Sequence, residues 1–136
     1  MGLVVDASVA ACWMFKNEAT PDTDALFVRV RDAGGVVPAL WIWDVANLLA
    51  IGIRRRRLTA AEATAHLADL AQLPIVTDAE ATARAWREAF GLANAHKLTA
   101  YDAAYLELAQ RTGLDLASKD VDLRAAAAAI GVKVVP

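Results

Sequence analysis

The sequence predicts an α/β fold of parallel βα units, with a central sheet covered by helices on both faces. Short apolar runs such as Leu3-Val4-Val5 and Val36-Val37 are too brief for helices. Longer, often alanine-rich segments separate them, and alanine is a strong helix former. Helix-start signals and glycines punctuate the change from one to the other. Short strands alternating with helices in this way are the pattern of a parallel sheet.

Each element follows in order. Leu3–Val5 reads as a buried strand stopped by Asp6, with a helix from about Ser8 to Phe15. Thr20-Pro21 opens a helix with Pro at its first position and Asp22 and Asp24 in its first turn, closing at Gly34-Gly35. Val36-Val37 is the second strand, ended by Pro38, and a helix is expected from about Trp41 to Arg56. Thr59-Ala60-Ala61-Glu62 is a capping box whose helix stops before Pro74. Ile75-Val76 is a short strand. Thr77-Asp78-Ala79-Glu80 reads as a second capping box, its helix ending near Gly91. Thr99 opens a helix through about Arg111 with Gly113 beyond it. Leu114–Ala117 is a strand, the region from Asp122 to Ala129 a helix, and Val132–Val135 the last strand.

The 136 residues fit a single domain, 1–136, with no internal repeat and no Ser-, Gly- or Pro-rich linker. A hydrophobic content of 57% with 22% charged residues excludes a disordered chain. The longest apolar stretch, Pro38 to Ile53, carries Asp44 and Asn47 near its middle, so no membrane span is expected. Asp6 interrupts the first apolar stretch at once, which argues against a secretory signal and for a cytoplasmic protein. Cys12 is the only cysteine, excluding an internal disulfide and a cysteine zinc cage and reading as a buried thiol. The net charge of −2 does not exclude nucleic acid, because with four acids engaged by a cation the remaining surface turns mildly basic.

The acids fall in informative places. In an open parallel sheet, ligands bind beyond the carboxyl ends of the strands. Asp6 closes the first strand and Asp120 follows the Leu114–Ala117 strand. Asp44 and Asp102 lie in or near the first turn of helices whose starts face the same crevice. Aspartate also serves as an ordinary N-cap or first-turn residue, and each of the four has that plain reading. Two details count against it. On the Thr99–Arg111 helix, Glu107 and Arg111 mark a polar face, and Asp102 lies about 180° from Arg111, in line with Leu106 and Ala109. Asp44 and Asn47, spaced i,i+3, are the strongly polar side chains of an otherwise apolar helix. A carboxylate on an apolar side requires a partner. Four meeting without a cation would repel by roughly 4 kcal/mol for each pair at 4 Å. All-oxygen ligands suit Mg²⁺ or Mn²⁺ better than zinc. Phosphoryl transfer is the chemistry that uses such a site, with water activated and phosphate charge stabilised by the ion.

The segments Val4-Val5-Asp6-Ala7-Ser8-Val9, Val37-Pro38-Ala39-Leu40 with Asp44-Val45-Ala46-Asn47, Tyr101-Asp102-Ala103-Ala104-Tyr105 and Leu116-Ala117-Ser118-Lys119-Asp120 resemble the four motifs of PIN-domain proteins. The order and spacing run the length of the chain, and the short single-domain form resembles the VapC toxins of toxin–antitoxin pairs. The resemblance implies a PIN-like three-layer α/β/α fold with a short, mostly parallel sheet. It implies a Mg²⁺- or Mn²⁺-dependent endoribonuclease with an acidic quartet at Asp6, Asp44, Asp102 and Asp120, of which Asp6, Asp102 and Asp120 hold the metal. Ser8, Asn47 and Ser118 fall at supporting positions. A homodimer, an RNA substrate and a cognate antitoxin are implied as partners. The family's second acid is usually Glu, and here it is Asp44, one methylene shorter. The alternative is therefore a weakly active or inactive PIN-like interaction protein that binds an antitoxin or RNA. An aspartate-nucleophile phosphatase is disfavoured, because it needs a second acid where Ser8 stands.

Arg54-Arg55-Arg56-Arg57 reads as helix-terminal and solubilising charge, with RNA phosphate contact as the sharper alternative. His66 and His96 lack partners at metal-ligand spacing and read as surface or loop residues. Lys97 falls in the loop expected before Asp102, and Asp122 reads as a first-turn residue. Trp41 and Trp43 are expected in packing, and their over-apolar helix points to a partner surface.

Overall fold

Five short runs of aliphatic residues pair into one sheet in the computed structural model, which describes residues 2–136. The strands are β1 (Leu3–Val5), β2 (Gly35–Val37), β3 (Ile75–Thr77), β4 (Asp115–Ala117) and β5 (Val134–Val135), ordered β3-β2-β1-β4-β5. Every pairing is parallel. Leu3, Val4 and Val5 are all fully buried, as a central strand covered on both faces must be, which is why β1 reads as a continuous apolar run and not an alternating one.

The helices are α1 (Ala7–Met14), α2 (Pro21–Ala33), α3 (Leu40–Arg54), α4 (Ala60–Ala71), α5 (Ala81–Arg84), α6 (Phe90–His96), α7 (Ala100–Thr112) and α8 (Val121–Ala129). A single 3₁₀ turn spans Lys16–Glu18, and a π-helical stretch, Ala85–Ala89, joins α5 to α6. Right-handed crossovers place the helices between β1 and β3 on one face and those after β3 on the other. Accordingly α1 packs on α2 and α3, and α7 packs on α6 and α8. The chain winds outward from β1 in one direction to β3 and in the other to β5. The reversal lies between β1 and β4, where an open parallel sheet leaves a crevice.

Most local signals hold. Thr20 and Thr23 cap α2 reciprocally behind Pro21, and Thr59 and Glu62 form the expected capping box of α4. Thr99 caps α7, and Gly113 ends it with φ +71°. Four expectations are corrected. Thr77–Glu80 is not a capping box, since Thr77 completes β3 and Glu80 makes no side-chain cap bond. Asp78 and Glu80 instead pair with Arg111 at 2.6 and 3.3 Å. The helical region does not end near Gly91 but continues to His96, so His96 and Lys97 close a helix and do not occupy a long loop. The Glu107–Arg111 face of α7 is not solvated: Glu107 is buried and receives Arg111 at 2.7 Å and Arg84 at 3.5 Å under the α5–α6 segment. The last strand is shorter than expected, and Val132 packs into the core ahead of it.

No helix of the described residues is long and apolar enough to cross a membrane. Cys12 is buried, as expected. Trp41 and Trp43 part company: Trp41 is buried and Trp43 is 77% exposed.

Gly52 lets α3 pack closely against Phe15, just past the end of α1, and Leu58. A Cβ there would collide with Leu58 and meet the Phe15 ring edge at 2.9 Å. We predict that Gly52→Ala lowers stability by about 1–2 kcal/mol, because overpacking outweighs a propensity gain of about 1 kcal/mol. Urea denaturation reads this as a lower midpoint at unchanged slope.

Candidate active site

The register of β1 and β4 builds the floor of a cleft. Val5 lies opposite Ala117, and the Asp6 N–H still donates to the Ala117 carbonyl at 2.9 Å. One residue further along each strand, Asp6 and Ser118 are therefore neighbours across the sheet end. The Ser118 hydroxyl donates to Asp6 Oδ2 at 2.8 Å, and the Ser8 hydroxyl donates to the same oxygen at 2.6 Å. Both hydroxyls also accept. Ser8 Oγ takes the Lys119 N–H at 2.9 Å, and Ser118 Oγ takes the Asp120 N–H at 3.0 Å.

Asp120 caps α8, its Oδ1 accepting the Leu123 N–H at 2.8 Å. Asp44 stands in the second turn of α3, one turn deeper than its neighbours in role, and its Oδ2 accepts the Tyr105 hydroxyl at 2.9 Å. Asp102 occupies the first turn of α7, with its N–H donated to Thr99 Oγ1 at 3.1 Å. All four aspartates line one cleft of about 540 Å³. Ser8 and Asn47 share its wall, and Ser118 is fully buried beneath it.

Electrostatics follow from this crowding. Burial first, and then the negative charges of Asp120, Asp6 and Asp44, push the Asp102 carboxyl up to about 6. Burial also raises Asp6 above the usual carboxylate range, against the pull of its two serine donors. Burial and the charge of Asp44 push the Tyr105 hydroxyl well up, so Tyr105 remains a donor at any ordinary pH. Among the described residues, no three acidic, histidine or cysteine side chains already stand as a closed metal cage. The donor set is nonetheless all oxygen, and one oxygen of Asp6, Asp44 and Asp120 is fixed by the protein. That chemistry fits a hard divalent cation.

The cleft also draws on residues that the sequence reading did not single out for it. Tyr105, one turn beyond Asp102, is buried behind the cleft and not on its wall; the sequence offered it only as the end of the Tyr101–Tyr105 motif, with no role, because its partner Asp44 is distant in sequence. Glu18, Cys12 and Lys119 line the cleft too, with Ala7, Ala11 and Leu48. Other expected features lie elsewhere. Asp122 is exposed and borders a separate hollow with His96 and Lys97, and His66 borders a third, beside Asp69. Of the arginine run, Arg57 pairs with Glu18 at 2.5 Å and stacks on Phe15 at 4.1 Å.

Comparison with known proteins agrees with this architecture. The PIN domain family model matches residues 3–129. Ribonuclease VapC3 of Pyrobaculum aerophilum is 32% identical over 123 residues, covering 90% of this chain and 92% of that protein. The crystal structure of PAE2754 from Pyrobaculum aerophilum superposes with a TM-score of 0.69 at 26% identity, over 93% of this chain and 87% of that one. VapC20 of Mycobacterium tuberculosis, a sarcin–ricin loop cleaving toxin, gives 0.66 at 18% identity, over 98% and 99%. FitAcB from Neisseria gonorrhoeae gives 0.63 at 18% identity, over 100% and 97%. The last two similarities concern the fold alone.

A stability test follows from Asp102. The folded chain holds its proton up to about pH 6, whereas the unfolded chain releases it near 3.8. Between those values the folded state binds more protons, so stability falls as pH rises. The contribution is full below about 3.8 and gone above about 6. We predict that Asp102→Asn melts above the wild type at pH 7.5 in EDTA, and that the difference shrinks towards pH 4. Thermal melts across that range check it.

Proposed function

This chain belongs to the PIN domain family, and we propose that it is the ribonuclease toxin of a toxin–antitoxin pair, a Mg²⁺- or Mn²⁺-dependent endoribonuclease that hydrolyses RNA phosphodiester bonds. The observation that carries the proposal is the convergence of Asp6, Asp44, Asp102 and Asp120 on one cleft at the sheet reversal, with Asp102 driven up to about 6. A cleft that strains to hold its own negative charge favours a cation. The relationship to Ribonuclease VapC3 supports RNA as substrate and a VapC-type toxin as the biological class.

Asp6, Asp102 and Asp120 would hold the ion, with Asp44 completing the acidic quartet. When bound, the ion supplies an activated water and neutralises charge on the phosphate oxygens. The chain's own residues keep the carboxylates in place. Ser8 and Ser118 fix Asp6, the Leu123 N–H fixes Asp120, and Tyr105 fixes Asp44. The Tyr105 tether bears on the shorter second acid: it orients Asp44 from α7, on the other face of the sheet, where a longer Glu would reach further unaided. Asn47 offers a neutral amide to the RNA along the wall, while the Ser8 hydroxyl is committed to Asp6.

Residues 1–136 act as one domain in this reading, in the cytoplasm. The exposed Ile42 and Trp43 of α3 and Leu67 of α4 offer an apolar surface to a second copy or to the antitoxin. The competing reading, a weakly active interaction protein, rests on Asp44 alone and makes the opposite prediction.

The test is cleavage of a mixed RNA pool by antitoxin-free protein with Mg²⁺ or Mn²⁺, and with EDTA. We expect cleavage that needs the metal and is abolished in Asp6→Asn and Asp102→Asn. Ser118→Ala and Tyr105→Phe, which remove outer supports, should each lose about 10–100-fold in activity. Folded, metal-loaded protein that cuts no RNA would sink the enzyme reading and leave the interaction protein.

A further inference from the structure

The geometry points to Lys119 as the residue that grips the RNA backbone in the cleft, its ammonium taking a phosphate next to the carboxylates. The inference rests on the ribonuclease reading and adds to it the contact by which the strand is held.

The charged residues lining the cleft are Asp6, Glu18, Asp44, Asp102, Asp120 and one cation, Lys119. An anionic polymer must approach this wall, and with a divalent ion at the acids Lys119 is the charged donor of the lining left for a flanking phosphate. Lys119 is exposed, and no ion pair among the described residues uses it. Two arginines near other acids are engaged, Arg57 with Glu18 and Arg111 with Asp78, Glu80 and Glu107, and the other cations do not line the cleft.

The backbone of Lys119 is fixed while its side chain is not. Its N–H is held by Ser8 Oγ at 2.9 Å, and the residues on either side are held as well, Ser118 to Asp6 and Asp120 to Leu123. The Cα therefore has a set place above the Asp6 floor. Lys119 lines the cleft together with Ser8, Ala11 and Cys12 of α1. A positive charge beside a cation site weakens that site, so a purely structural residue here would be better neutral. An anionic ligand supplies the compensation, and lysine binds phosphate as a mobile point charge.

The experiment is steady-state cleavage of a fluorescein-labelled single-stranded RNA by the full chain, wild type beside Lys119→Met and Lys119→Arg. Salt titrations and Mn²⁺ calorimetry accompany each variant. We expect Lys119→Met to raise KM about tenfold. The slope of log kcat/KM against log salt should become shallower by about 0.7, the loss of one phosphate contact on a single strand. Lys119→Arg should restore KM to within about threefold, and Mn²⁺ affinity in Lys119→Met should stay level or rise, never fall. A wild type that cleaves, with Lys119→Met matching it in KM and salt slope, overturns this inference and leaves the ribonuclease standing. A variant whose loss is explained by altered Mn²⁺ affinity assigns Lys119 to tuning the acids, and also overturns it. A wild type that neither binds nor cleaves RNA overturns both readings together.

Discussion

A single carboxylate oxygen organises the functional end of this protein. Asp6 Oδ2 receives Ser8 and Ser118, and each of those hydroxyls in turn holds the backbone N–H of a residue leaving β4. The exits of β1 and β4, and the starts of α1 and α8, are thus tied to one atom. The Val5–Ala117 register makes this available, because a slip by one residue would turn Asp6 and Ser118 to opposite faces. Asp6 also sits at the N-cap position of α1 without making a side-chain cap bond. Its carboxylate lines the cleft and is held by Ser8 and Ser118, with only the adjoining Ala7 N–H of the helix turned to it, so the ordinary capping role does not account for it. Asp120 does cap its helix, with one oxygen, and lines the cleft as well.

Most of the fold was legible because the signals are local. Thr20-Pro21, Thr59 to Glu62 and Gly113 act within a few residues of themselves, and they set helix ends as their chemistry requires. Thr77 to Glu80 carries the same Thr-x-x-Glu pattern and fails, because Arg111 draws Asp78 and Glu80 away across 33 and 31 positions. The Glu107–Arg111 pair misled for a related reason. Its i,i+4 spacing is that of a solvated face, yet the α5–α6 segment covers it and adds Arg84 to Glu107. Local patterning cannot distinguish an ion pair facing water from one facing another helix.

The candidate site divides in the same way. Asp6 and Asp120 were readable from strand ends, and Asp102 from its place on the apolar side of α7. Asp44 was readable as an unexplained charge, but its explanation, Tyr105, lies 61 residues away. That tether turns a carboxylate on an apolar helix into a positioned one, and no spacing within α3 announces it. Trp43 shows the limit of composition, since two tryptophans flanking Asp44 read alike while one is buried and the other stands in solvent.

The donors around the acids leave their charge in place. Ser8, Ser118, Tyr105 and the Leu123 N–H are all neutral, whereas Arg57, Arg84 and Arg111 are paired with carboxylates outside the quartet. Neutral donors orient a carboxylate and lower part of its desolvation cost without cancelling its charge. An arginine in the same place would satisfy the acids outright, and the raised proton affinity of Asp102 would vanish with the need for a cation. The fold therefore keeps the four carboxylates ordered and uncompensated at once. That combination costs stability at neutral pH and is hard to explain as architecture. It is the expected cost of a site that waits for positive charge from outside the chain.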